Sequence, residues 1–452
     1  MTSLDRQHHH PGYWPSPWPV ECGGNRRQKA AAGSLGPAAG RGTAEVTVQH
    51  SDRWNVMVVR REPDEWYVAG TMAHFTGPAP YGWVHRIDPV TLETLAGSPE
   101  LPCGEHVWCG AAVVHANGSI YNINGNRLHR LDPVDLHVEA EGVLPADRAH
   151  NGMLILADGT IVTKDLRLED QGGTTISRLD PDTLELVQAP LVLPEGSMGR
   201  IGADLQADGT EYVYVPGSEH ILRLLLDSGP GDGGTDLRLD DWRARYRGPG
   251  ADAGLAWDVC LSDGHVWFMD GGDTESVRAI HTRSPNGRFG APPGRALSWR
   301  LPAPWSAPQG LFRVAIDDPT DVASIAPFGV PGGGIIAPPV HVPEHDMTIA
   351  WDSINGGLAG ITGAGADLEV AWQLAARPSM QPVVFPEGDE LVINDYTAEG
   401  EDHLIVVRIS TGELLDRVPT GSRIANGMFL TAGDDRDVYY CTTTALSRVR
   451  WS

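Results

Sequence analysis

Two histidines hold matching places in the chain. His106 stands shortly before an apolar run that begins at Ala111, and His150 shortly before one that begins at Gly152. An imidazole can carry a proton or a metal ion near neutral pH. Other polar groups recur at the same kind of place: Glu105 and Trp108, Asn151, Met198 and Arg200, Trp257 and Asp258, His341, Gln381 and Asn426. After the partner run of each pair come His74, Asn124, Lys164 with Asp165, Asp270 with Asp273, Asp352, and Asp395 with Tyr396. Imidazoles, carboxylates and amides are the ligand types of a divalent ion. His106, His150, Asn151, Asp258, His341 and Asn426 are therefore the candidate metal ligands. His106, His150, Arg200 and Asp258 are the candidate catalytic groups. Taken singly, an Asp or Asn at such a place more commonly bonds the backbone of a turn. The case for a site rests on the set, with the His106–His150 pair foremost.

The elements that would position this set are short. Asn117-Gly118, Asp158-Gly159, Asp208-Gly209 and Asp263-Gly264 each separate two apolar runs. Such dipeptides are the strongest local hairpin signal. Looser turns fall at His345-Asp346, Glu387-Gly388 and Asp434-Asp435, and Trp54 to Ala69 supplies an eighth hairpin. A phrase then indexes the units: Arg-Ile-Asp-Pro from Arg86, Arg-Leu-Asp-Pro from Arg130 and again from Arg178, with a degraded copy from Arg313. Its spacing of about 45 residues suits one four-stranded blade. The chain is thus expected to be all-β, a β-propeller of eight blades, with seven as the alternative. Strand-like runs crowd between Ser276 and Phe328, so one blade there carries an insertion or its boundaries are misread. A Gly- and Asp-rich stretch, Ser228 to Asp240, reads as a surface loop.

Residues 1–42 read as a disordered leader and 43–452 as a single propeller domain. The leader holds Pro, Gly and Ala without periodicity, and His8 to His10 resemble a tag more than a metal site. Ala44 to His50 alternates like a strand, whereas Ile424 to Trp451 has only three strand-like runs. The N-terminal strand is expected to complete that last blade and close the ring. Trp66, Trp267, Trp351 and Trp372 are expected to pack between blades, while His85, His129, His220, His115 and His137 read as structural.

The net charge of -25 argues against nucleic acid and anionic membrane as partners. Five scattered cysteines make neither a zinc motif nor an even disulfide framework, which suits a cytoplasmic compartment. No apolar run is long enough to span a bilayer, and the N-terminal stretch lacks a basic-then-apolar signal. A P-loop, a dinucleotide fingerprint and a Gly-x-Ser-x-Gly elbow are all missing from the sequence, so no nucleotide cofactor is expected.

His150-Asn151-Gly152-Met153, followed by Ala157-Asp158-Gly159-Thr160, and again Asn426-Gly427-Met428, resemble the regucalcin and gluconolactonase type of propeller. They are also similar to strictosidine-synthase and NHL-repeat propellers. The resemblance implies a divalent cation, often calcium, held in the central channel by carboxylate and Asn ligands, and hydrolysis of lactones or esters. Asn151 and Asn426 match the Asn-Gly positions, and Asp258 takes the part of the carboxylate. Regucalcin-type propellers have six blades, whereas the hairpins here number eight.

Two functions follow. The first is an enzyme with a metal-assisted axial site holding calcium, magnesium or iron, acting on a small organic substrate. Lactone or ester hydrolysis, elimination by a lyase, and oxidative cleavage at a His-rich iron site are its three forms. The second is a non-catalytic propeller that binds a ligand or protein. A His106–His150 pair facing a third ligand favours the first; packed side chains between them favour the second. Oligomeric state is not legible.

Overall fold

A computed structural model of the protein describes residues 10–36, 44–72, 79–226, 236–248, 254–271, 307–335, 337–365, 367–397, 400–422 and 427–452. Its strands form eight sheets, each antiparallel. The chain is an eight-bladed β-propeller.

Blade 1 holds Trp54–Arg60, Trp66–Met72, Tyr81–Ile87 and Thr94–Gly97. Blades 2 to 7 repeat the pattern, with innermost strands Cys109–Val114, His150–Ile155, Gly202–Leu205, Cys260–Ser262, Val340–Val342 and Val383–Phe385. Blade 8 takes Gly427–Ala432, Asp437–Thr442 and Ala445–Arg450. Its outer strand is Glu45–His50, in register from Glu45 opposite Arg450 to His50 opposite Ala445. The crowded region resolves in blade 5, where Leu311–Ala315 and Val322–Ile325 are the third and fourth strands. The runs expected at Val277 to Thr282 and Ala296 to Leu301 lie outside the described residues.

The turns follow their chemistry. Gly118, Gly159, Gly209 and Gly264 all have φ between 73° and 91°, which a side chain disfavours. At the looser turns Asp346 and Asp389 take the left-handed position at φ 45° and 56°. The Arg-x-Asp-Pro phrase joins the third and fourth strands. Asp88 Oδ1 accepts the backbone N–H of Val90 and Thr91 at 2.8 and 2.7 Å, and Asp132 and Asp180 do the same in their turns. The phrase also fastens neighbouring blades. Tyr439 donates to the Pro89 carbonyl at 2.7 Å, Tyr67 to Pro133 at 2.8 Å, and Tyr121 to Pro181 at 2.8 Å. Each tyrosine lies on the second strand of the preceding blade.

The expected disordered leader is corrected by residues 10–36, which form a strap across the middle of the ring. The strap meets every blade. Its backbone bonds Arg60, Val114, Ala203, Leu261 and Val384 of blades 1, 2, 4, 5 and 7. Asn25 donates to the Ile155 carbonyl of blade 3 at 2.9 Å, and Lys29 donates to the Pro339 carbonyl ahead of blade 6 at 2.8 Å. Trp18 packs in one core with Leu430 and Val438 of blade 8. Irregular backbone hides the strap from periodicity: Cys22, Arg27 and Lys29 all have positive φ. His10 places Nε2 2.9 Å from the Glu211 carboxylate; His8 and His9 lie outside the described residues.

Candidate functional site

The inner strands all begin on one face of the ring, called the upper face here, and turn back on the lower face. Arg200 and Asp258 directly precede the inner strands of blades 4 and 5, and His150 opens that of blade 3. Lys164 comes up beside them near the end of the second strand of blade 3. The strap reaches the same level from below with the turn Glu21–Gly23.

Four charged side chains interlock there. Arg27 donates to Glu21 Oε1 at 2.6 Å and to Asp258 Oδ2 at 3.0 Å. Arg200 donates to Asp258 Oδ2 at 3.3 Å through Nη1, and its Nε lies 3.0 Å from Glu21 Oε1. The Arg200 backbone N–H bonds Asp258 Oδ1 at 2.6 Å. All four residues are buried. Two carboxylates and two guanidiniums balance, which is what makes charge tolerable away from water. The Arg200 guanidinium carbon also stands 4.9 Å from the Phe429 ring and 5.7 Å from the Trp108 ring, bringing blades 8 and 2 to the group.

The structure distributes the expected metal set over several places. Both oxygens of Asp258 accept hydrogen bonds, Oδ1 from the Arg200 backbone and Oδ2 from the Arg200 and Arg27 side chains. Asn151 accepts from Trp108 Nε1 and donates to the Met198 carbonyl, both at 3.2 Å, and so ties two loops together. His341 is not at the upper face. It pairs with Thr348 one residue short of the lower turn of blade 6, stacks on Trp267, and lines a small cavity with Gln28, Ala30 and Glu344. Asn426 lies outside the described residues, as do His74 and Asp273. His106 Nε2 turns to Asp147 Oδ1 at 2.9 Å, while His150 Nδ1 meets the Arg148 carbonyl at 3.0 Å. The two histidines are near enough for His106 to depress the basicity of His150, yet each faces its own partner. Among the described residues, the carboxylate–imidazole cluster that could hold an ion is Asp132, Asp135 and His137. It sits at a surface turn of the repeat phrase, where Asp132 already bonds the backbone.

The structure brings together a different set. His150 is buried, and burial pushes its pKa from 6.5 to about 4, so it is neutral at pH 7. With Nδ1 donating to a carbonyl, Nε2 carries the lone pair, and it has no protein partner. Lys164 is fully buried. Its ammonium group donates to the Ser197 carbonyl at 3.0 Å and more weakly to that of Asp165 at 3.4 Å. Burial brings its pKa down from 10.5 to about 7, against the pull of Asp165 and Asp258. Arg200 keeps Nη2 without a partner. Lys164, Glu21 and Arg27 were outside the sequence-derived set of catalytic and metal residues. A lysine inside Ile-Val-Thr-Lys-Asp, an apolar strand, was the signal for the first.

The fold has wide company. No family model matches the chain, and no curated protein matches it. Among solved structures it is similar to the quinohemoprotein alcohol dehydrogenase from Comamonas testosteroni, at TM-score 0.64 and 11% identity, over 99% of this chain and 82% of that one. It is similar to a europium-containing methanol dehydrogenase at TM-score 0.56 and 12% identity, over 97% and 91%. The Dos1 propeller matches at TM-score 0.56 and 8% identity, over 89% and 94%. These likenesses establish the propeller, shared by enzymes and by other propellers, and no activity. Among the described residues no helix is long and apolar enough to cross a membrane.

Proposed function

We propose that the chain is an enzyme acting on a small organic anion at the upper end of the axis, by proton transfer, in hydrolysis of a lactone or ester or in elimination. The observation that carries this reading is Lys164: an amine near half-protonated at neutral pH, beside a neutral His150 and the Arg200 guanidinium. A group with its pKa near the working pH is the most effective acid or base. Arg200 Nη2 is free to donate to the anion. Neutral Lys164 takes the proton from water or carbon, and the resulting ammonium returns it to the leaving oxygen. His150 Nε2 accepts from the attacking water or a substrate hydroxyl. The proton transfers are assigned to Lys164 and His150, with Asp258 paired to two guanidiniums.

The test is turnover of a panel of lactones, esters and hydroxy acids, read as proton release or uptake. Lys164→Met should lower kcat by about 100-fold or more with little change in KM. Arg200→Lys should raise KM. A wild-type protein inert on the panel, or a Lys164→Met variant as active as wild type, would sink the reading. One observation favours the second function, a binding propeller: the strap fills the axis with the chain's own residues. An inert upper face would leave that reading standing.

A further inference from the structure

Glu21 is the odd member of the buried quartet. Asp258 belongs to the ring and has both oxygens engaged. Glu21 comes from the strap, and it uses only one oxygen. Its Oε1 is shared between Arg27 at 2.6 Å and Arg200 at 3.0 Å, while Oε2 has no protein partner although the residue is only 2% exposed. The guanidiniums are half-used as well: Arg200 Nε and Nη2 and Arg27 Nε are buried without hydrogen-bond partners, the Arg200 Nε approach to Glu21 being an ion-pair contact. A carboxylate held by one oxygen between two arginines, each with a donor to spare, leaves hydrogen-bonding capacity on both sides.

We infer that the Arg27–Arg200 cradle is a binding site for small monocarboxylates, and that Glu21 is its internal ligand. This rests on the anion-binding reading above and narrows the anion to a carboxylate. The group is planar and singly charged, and it fits a fork of N–H donors. An incoming carboxylate takes the place of the Glu21 head group, whose side chain swings away with the turn Glu21–Gly23. The exchange is charge-neutral, because one carboxylate replaces another between the same guanidiniums. Glu21 is tethered and so competes at a high effective concentration. External carboxylates must therefore bind wild-type protein weakly unless the rest of the molecule adds contacts.

The side-chain atoms that Glu21→Ala removes amount to one acetate. In that variant two buried guanidiniums share Asp258 alone, which destabilises the fold. Acetate should raise its melting temperature saturably, whereas acetamide and chloride should not. By titration of labelled acetate, wild type should bind at least tenfold more weakly than Glu21→Ala. Equal affinity in the two proteins, or no acetate-specific shift in the variant, overturns the inference. If Glu21→Ala does not fold, refolding yield in acetate against acetamide reads the same point, and equal yields overturn it. Glu21→Gln, whose neutral amide competes less well than the carboxylate, should bind acetate more tightly than wild type and more weakly than Glu21→Ala. Failure here with turnover of an anionic ester that carries phosphate or sulfonate instead of carboxylate rejects the carboxylate class alone. Acetate rescue in a protein that turns nothing over rejects the catalytic reading alone.

Discussion

Arg200 holds Asp258 twice, by its backbone N–H at 2.6 Å and by Nη1 at 3.3 Å. The second contact runs to Oδ2, which Arg27 of the strap also reaches. Asp258 therefore joins two blades and the strap through one carboxylate. Removing it leaves two guanidiniums on Glu21 alone. Asp258→Asn should cost about 3–5 kcal/mol in urea denaturation. A chelator should leave the melting temperature of wild type unchanged, since the carboxylate is held by arginines. A chelator-induced fall in melting temperature would mean that an ion, and not the guanidiniums, organises this end of the axis.

The bond from Tyr67 to the Pro133 carbonyl, like those from Tyr121 and Tyr439, crosses from one blade to the next. It gives the repeated phrase a task beyond its own turn. Tyr67→Phe keeps the ring and removes the bond, so it should cost about 1 kcal/mol. The triple Phe variant, with sites far apart, should lose about three times as much, because distant changes add. Melting or urea curves that do not move would show these bonds to be incidental.

The propeller was legible because its signals are local. Asn-Gly and Asp-Gly turns and the Arg-x-Asp-Pro phrase act within four residues, so they survive as sequence. The strap was not legible by periodicity, since residues 10–36 bond the ring through irregular backbone. Its composition did hold a sign: Tyr13, Trp14, Trp18, Val20 and Cys22 within ten residues are too apolar for a solvated leader. The site was half legible. Strand starts correctly brought His150, Arg200 and Asp258 to one face. Pairing was not legible, because the partners of Asp258 lie 58 and 231 positions away. His341 was misplaced by counting: Val340–Val342 is so short that its middle residue is already next to the lower turn.

Buried histidines set the acid limit of the fold. His129, His150 and His341 are each pushed by burial from 6.5 to about 4. Between those values the unfolded chain binds more protons than the folded one, so stability falls as pH falls from 6.5 to 4. Asp402 works the other way. Burial raises its pKa to about 6, so the folded state binds the extra proton from there down to its ordinary range near 3.8. The net from these groups is about two protons, or roughly 3 kcal/mol per pH unit. Urea midpoints should drop steeply over this window, and His129→Gln should reduce the slope by about one proton. A flat profile from pH 6.5 to 4 would contradict the burial of these imidazoles.

Lys164 makes the opposite window informative. Its pKa is about 7 in the folded chain and near 10.5 in the unfolded one. Between these values unfolding takes up a proton, so wild-type stability should rise with pH from 7 toward 10. Below pH 7 both states are protonated, and the full cost of burying the ammonium is present. Lys164→Met removes the titrating group and keeps most of the volume. Its advantage over wild type should be greatest at or below pH 7 and shrink steadily toward pH 10, by an amount of order 5 kcal/mol for a shift of this size. The same titration bears on chemistry: if Lys164 is the base, kcat should climb through pH 7 with the deprotonated amine. A stability difference between the two proteins that is independent of pH from 7 to 10 would show that Lys164 keeps its ordinary pKa. That would remove the observation on which the proton-transfer reading stands.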